Sequence, residues 1–188
     1  MNQNLERYLN DHLAGSSGAI VMIQHFIDTL EDPAARDHFL HLKGEVEADR
    51  ALLERLMTSA GMSRSGLLNA AGDVTARVGF LKLMWEGFEP GGLGMFEGLE
   101  MIALGIQGKR LLWLALREIA ECYPEWEGVN FSDLERNAID QRNGVELWRL
   151  AAARDTLASA ERRAASHPVG EPEDGASLNP GLVQADLR

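Results

Sequence analysis

Apolar residues recur three and four apart through most of the chain, the spacing that draws one stripe along a helix. Leu5, Leu9, Ala19, Ile23, Phe26 and Leu30 form the first stripe, and Phe39, Leu42, Val46, Leu53, Leu56 and Ala60 form the second. Between them, Asp32-Pro33 reads as an N-cap followed by proline at the first helical position, so the two helices make a tight antiparallel hairpin. Gly61 supplies a stop for the second helix. Leu67, Leu68, Ala71, Val74, Val78, Leu81 and Trp85 predict a further helix over 67–85, weakened by Gly72 and Gly79. After the break at Glu89-Pro90-Gly91-Gly92, a long helix runs from Leu93 to Ala120; it is apolar on nearly every side and therefore buried from more than one direction. Tyr123-Pro124-Glu125 turns the chain and Asn130-Phe131-Ser132-Asp133 supplies cap residues. A last helix, with Leu134, Ala138, Val145, Trp148 and Ala152 inside, reaches about Ala160.

The stripes have polar interruptions. His12 falls in the middle of the first, and Asp49 stands where the second requires an apolar residue. Lys109 follows Ile102 and Ile106 and precedes Trp113 and Leu116, while Gln141 lies between Ala138 and Val145. Burying such groups is costly unless each finds a partner, a ligand or a proton. At about 1.5 Å of rise per residue, His12 lies 19 residues before the hairpin tip at Glu31 and Asp49 lies 18 after it, so the two are level. With the third and fourth helices meeting near Glu125, Lys109 matches Gln141 in height and Gln107 matches the stretch ending at Glu146. One polar layer drawn from four helices is the inference. Lys109 and His12 satisfy Asp49 in one reading, with Gln107 and Gln141 completing the hydrogen bonds and the network fixing helix register. In another, His12, Glu45, Asp49 and Glu146 bind a divalent metal, a mixed oxygen and nitrogen set suited to Fe, Mn or Zn. A third makes the layer a small-molecule or catalytic pocket with His12 and Asp49 as an acid–base pair.

Two hairpins joined by a long connection send helices one and four one way and helices two and three the other. The intermediate helix is long enough to climb the bundle, since 19 residues rise roughly 28 Å. The fold class is therefore all-α: a ferritin-like up-down-down-up four-helix bundle with a helical crossover between helices two and three. The run from His38 to Leu56, in which His38, His41, Glu45, Glu47, Asp49 and Glu54 alternate with leucines, resembles the second helix of ferritin-like bacterial proteins. The stretch from Leu5 to about Ala160 is also similar to a widespread group of uncharacterised bacterial helical proteins, through the segment Tyr8 to Gly15 and the segment Gly108 to Trp113. Ferritin-like bundles that hold two metals use a Glu-x-x-His pair on each of two helices, because a spacing of three puts both ligands on one face. Here Glu45 is followed three residues later by Ala48 and Glu146 by Arg149, so both histidines are missing. Ferroxidase or oxygenase chemistry does not carry over with the resemblance.

Composition narrows the setting. The chain has 188 residues, 45% of them hydrophobic, enough for one domain with a sizeable core, assigned to 1–165. Residues 166–188 hold three prolines and three glycines and read as a disordered acidic tail. Leu178, Leu182, Val183 and Leu187 still give that tail apolar residues with which to dock on a protein partner. Net charge is −11 and no basic cluster exceeds Arg162-Arg163, which argues against nucleic acid. No apolar run approaches the roughly 20 residues of a membrane span, and the start Met1-Asn2-Gln3-Asn4 lacks the features of a signal peptide. A soluble, cytoplasmic protein is expected. The single Cys122 excludes an internal disulfide framework and reads as a structural thiol. Gly98, Gly105 and Gly108 line one side of helix three, open to the crossover or a second copy, and an exposed Trp126 in the turn would favour a homodimer. Glu97, Glu100, His38 and His41 read as surface contacts. The functional expectation is a ferritin-like bundle of unassigned activity with a metal-binding polar layer, against a scaffold protein whose layer is a structural salt-bridge network.

Overall fold

The computed structural model describes residues 2–63, 88, 89, 91–158 and 162. Four helices of 27 residues each account for most of them: α1 (Gln3–Thr29), α2 (Pro33–Ser59), α3 (Leu93–Ile119) and α4 (Phe131–Leu157). Equal lengths of about 40 Å let each stripe be covered from end to end. Two short 3-10 turns, Ala120–Cys122 and Pro124–Trp126, join α3 to α4. There is no strand among the described residues. The helix predicted over 67–85, the continuation of the last helix to Ala160 and the tail 166–188 lie outside the described residues.

Local chemistry sets the helix ends. Asn2, Asp32 and Asn130 each accept backbone N–H bonds at an N-terminus, from Asn4 and Leu5, from Ala34, and from Asp133 respectively, satisfying donors that the first turn cannot pair internally. Gly61, at φ +70°, closes α2. Its own N–H bonds the Thr58 carbonyl at 3.1 Å while that of Met62 reaches the Met57 carbonyl at 2.9 Å, the paired bonds of a left-handed helix stop.

α1 packs along α2 and α3 along α4, and α1 also meets α3. The predicted stripes supply most of this core: Leu5, Leu9, Ile23 and Phe26 from α1, and Phe39, Leu42, Val46, Leu53 and Leu56 from α2, are all buried. Phe26 stacks on Phe39 with ring centroids 5.0 Å apart. A Cβ at Gly98 would come within 2.7 Å of Phe88 and 3.1 Å of Phe26, so glycine there lets both rings lie against α3.

Trp126 departs from expectation. It is 2% exposed, stacks on Tyr123 at 4.2 Å, and donates its indole N–H to the Leu56 carbonyl at 3.0 Å. A large apolar ring with one donor is best placed where both needs are met, here between the α3–α4 turn and the last turns of α2. It closes one end of the bundle and offers no surface for a second copy.

Candidate functional site

Asp49 on α2 lies a turn below Leu53 and a turn above Val46, and the same stripe that buries those residues turns its carboxylate inward. Lys109 on α3 meets it, Nζ to Oδ2 at 2.5 Å, and also donates to the side-chain oxygen of Gln141 on α4. The Asp49 and Lys109 side chains are each 14% exposed and Gln141 is 6% exposed. Three helices thus share one ammonium, whose charge the carboxylate balances where water does little.

A cavity of about 450 Å³ lies against this pair, between α1, α2 and α3. Ile23, Val46, Leu53, Ile102, Ile106 and Leu112 give it apolar walls, and Tyr8, Asp11, His12, Ser16, Asp49, Arg50 and Lys109 supply its polar groups. Gly15 and Gly105 line it and are solvent-exposed, which marks its mouth. Trp113 backs it, buried, with an indole N–H that has no partner among the described residues.

His12 shares the cavity but not the network. Its ring stands edge-on to Tyr8 with centroids 4.7 Å apart, and it makes no hydrogen bond with Asp49 or any other described residue. Burial pushes its pKa below the ordinary histidine value, offset only in part by the Asp11 carboxylate. At neutral pH the ring is therefore uncharged, with one donor and one acceptor nitrogen. Burial also pushes the Tyr8 phenol up, keeping it protonated.

Other residues nominated from the sequence lie apart. Glu45 pairs with the exposed His41 at 3.7 Å. Arg149 grips Glu146 through two bonds at 2.6 and 2.8 Å and reaches Glu100 at 3.1 Å; this hydrogen bonding holds the Glu146 carboxyl below its usual range. Gln107 is half-buried and makes no bond to the layer. His12, Glu45, Asp49 and Glu146 are therefore not one donor set, and among the described residues no three His, Cys, Asp or Glu side chains gather closely enough to hold a metal ion. These residues do not fit the two-metal centre of ferritin-like bundles. Cys122, read from the sequence as a structural thiol, is free and exposed.

Two features escaped the sequence reading. Arg50, next to Asp49, bonds the Leu13 carbonyl at 2.6 Å and the hydroxyls of Ser16 and Ser17 at 2.7 and 2.8 Å, tying α2 to α1, and pairs with Glu54 at 3.2 Å. Its signal was present: Ser16 and Ser17 lie within reach of its height on the hairpin. His38 lies against α4, its Cε1 2.8 Å from where a Cβ would stand at Gly144 and its ring 6.0 Å from Trp148. Its Nε2 is buried without a hydrogen-bond partner among the described residues.

The chain matches no protein-family model, no curated protein and no solved structure. Among the described residues no helix is long and apolar enough to cross a membrane.

Two predictions follow from this geometry. Lys109→Met leaves the Asp49 carboxylate unpaired and is expected to cost stability toward the lower end of about 3–5 kcal/mol, since both groups keep some solvent contact. Asp49→Leu combined with Lys109→Met should recover most of that loss in urea denaturation; a single variant as stable as the parent would show that the pair does not constrain the fold. The second concerns pH. Burial, with the nearby His41, lowers the His38 pKa, opposed only in part by Asp37. A depressed folded pKa means that the unfolded chain takes up protons first, so the stability present above the ordinary value of about 6.5 is lost as pH falls through the lowered ones. Thermal melts should decline through this range, and less steeply in His38→Gln. An identical acid limb in the variant would assign the decline elsewhere.

Proposed function

We propose that this chain is a ligand-binding helical bundle which takes a small, predominantly apolar molecule into the cavity between α1, α2 and α3, with Asp49 and Lys109 in its polar wall and Gln141 holding Lys109 from behind. The observation that carries the reading is the cavity itself. Its volume of about 450 Å³ falls within the roughly 300–1,000 Å³ of small-molecule sites, and its lining surface is mostly apolar with a minority of polar groups. The sequence also accepts a cost to keep it open. Gly105 and Gly108 sit inside α3 with nothing within 4 Å of an added Cβ, and each forgoes about 1 kcal/mol of helix propensity relative to alanine. In this reading the layer is a structural salt-bridge network serving a binding site, and Lys109 supplies the positive charge that a metal would otherwise bring.

The same proposal takes residues 60–92 as a ferritin-like crossover, giving the up-down-down-up order. The two short-turn helix pairs and the α1–α3 contact support it. A second reading, self-association, is favoured by one observation. Leu93, Leu104 and Leu111 are 52%, 65% and 52% exposed, and spacings of eleven and seven return them to one face of α3.

Binding is tested with prodan, an uncharged naphthalene dye whose emission brightens and shifts to the blue in apolar surroundings. The full chain should produce that change and Gly105→Leu should abolish it while melting at the same or a higher temperature; equal dye binding by both proteins would remove the cavity from the account. Self-association is read by sedimentation. Leu104→Glu with Leu111→Glu should convert a dimer to a monomer, and a parent chain already monomeric at high concentration ends that reading.

A further inference from the structure

Resting on the reading of the cavity as a ligand site, we infer that its occupant is an uncharged molecule whose polar end is a hydroxyl group: an alcohol or phenol on a hydrocarbon or aromatic body. Asp49 carries the argument. Its Oδ2 is held by Lys109, while its Oδ1 has no partner among the described residues and is not one of the buried, sealed-off polar atoms. A carboxylate oxygen can only accept, so a ligand group that satisfies it must donate. Ketones, ethers and halides cannot do this.

Charge narrows the class further. Asp49 and Lys109 face the cavity as a balanced pair 2.5 Å apart. An anionic ligand at Oδ1 would stand against the Asp49 carboxylate, and a cationic one would stand beside the Lys109 ammonium; either would also lose its hydration on entering an apolar chamber. A neutral donor meets neither penalty. Tyr8 and His12 then separate a hydroxyl from neutral groups that donate and cannot accept, such as an indole N–H. They line the same cavity from α1, neither makes a hydrogen bond to a described residue, and both a phenol and an uncharged imidazole can give or take a proton in a hydrogen bond. A ligand hydroxyl that donates to Asp49 keeps its own oxygen free to accept from this side. Of the other polar lining groups, Arg50 and Ser16 bond each other at 2.7 Å and Asp11 is solvent-exposed, while most of the remaining lining is apolar, so the rest of the molecule is apolar.

The test is calorimetric titration of the full chain at pH 7.5 with five probes of nearly one shape: 2-naphthol, 2-methoxynaphthalene, naphthalene, 2-naphthoate and protonated 2-naphthylmethylamine. 2-Naphthol should bind about tenfold more tightly than the methoxy compound or the hydrocarbon, the effect of one hydrogen bond to a charged acceptor, and more tightly than either ion. In the double variant Asp49→Leu, Lys109→Met, naphthalene should still bind and the preference for 2-naphthol should disappear. If that variant does not fold, the ratio of 2-naphthol to 2-methoxynaphthalene in the parent decides alone, because those two differ in the donor and share the oxygen. Equal binding of the two, or tightest binding of either ion, overturns the hydroxyl inference and leaves the cavity reading intact. A preference that survives in the folded double variant removes Asp49 as the acceptor and overturns it too. Binding of none of the five overturns the cavity reading and this inference with it.

Discussion

The ammonium of Lys109 is the constraint on which the arrangement of this bundle depends. Apolar stripes alone tolerate sliding, because a leucine displaced by one turn still meets other leucines. A charged group held at 2.5 Å from Asp49 and bonded at the same time to Gln141 does not, since a shift of one residue moves a partner by about 1.5 Å and leaves a charge unpaired in an apolar wall. The network therefore sets the register of α2, α3 and α4 together. α1 is fixed by the very next residue on α2. Arg50 points about 100° around that helix from Asp49 and clamps Leu13, Ser16 and Ser17, so two consecutive residues connect all four helices.

That clamp acts on the weakest part of α1. Gly15, Ser16, Ser17 and Gly18 are four poor helix formers in succession, and both serine hydroxyls turn back to the Leu13 carbonyl, at 2.7 and 3.3 Å. Without Arg50 this turn would rely on side chains that bury little. Gly15 and Ser16 also line the cavity, with Gly105 and Gly108 on α3. Low intrinsic helix stability thus coincides with the mouth of the chamber, away from the ring-packed end at Phe26, Phe39 and Phe88.

How much of this was legible in the sequence depends on what periodicity can carry. A strict three-four stripe makes a polar intruder conspicuous, and counting residues from a hairpin tip gives its height, so Asp49, Lys109 and Gln141 could be brought together before any coordinates. His12 could be placed level with Asp49 for the same reason, but height does not fix a rotamer, and its ring turned to Tyr8 and the cavity. Glu45 and Glu146 were drawn away by partners already visible at spacings of four and three, His41 and Arg149, because a neighbour on the same helix needs no tertiary contact to reach. Trp126 sits in a turn, where no period operates and burial is decided by what lies opposite. The glycines of α3 divide on the same ground: Gly98 admits two phenylalanine rings, whereas Gly105 and Gly108 leave space.

The layer's charge balance shapes what the cavity can recognise. In metal-holding ferritin-like bundles the carboxylates of the core are neutralised by bound ions. Here the neutralising cation is covalently part of α3, and it engages one oxygen of Asp49 while the other has no partner among the described residues. The two oxygens of a single carboxylate thus carry different duties, one for helix register and one for the chamber. A ligand that donates to the second oxygen adds to the stabilisation of the charge on which the first depends, so occupancy of the cavity and stability of the fold are linked. Removal of the carboxylate alone, with Lys109 left in place, must affect both at once. Among the polar groups of the cavity, a substitution that spares the fold while altering binding is best sought on the α1 side, at Tyr8 or His12, where no helix depends on the side chain for its register.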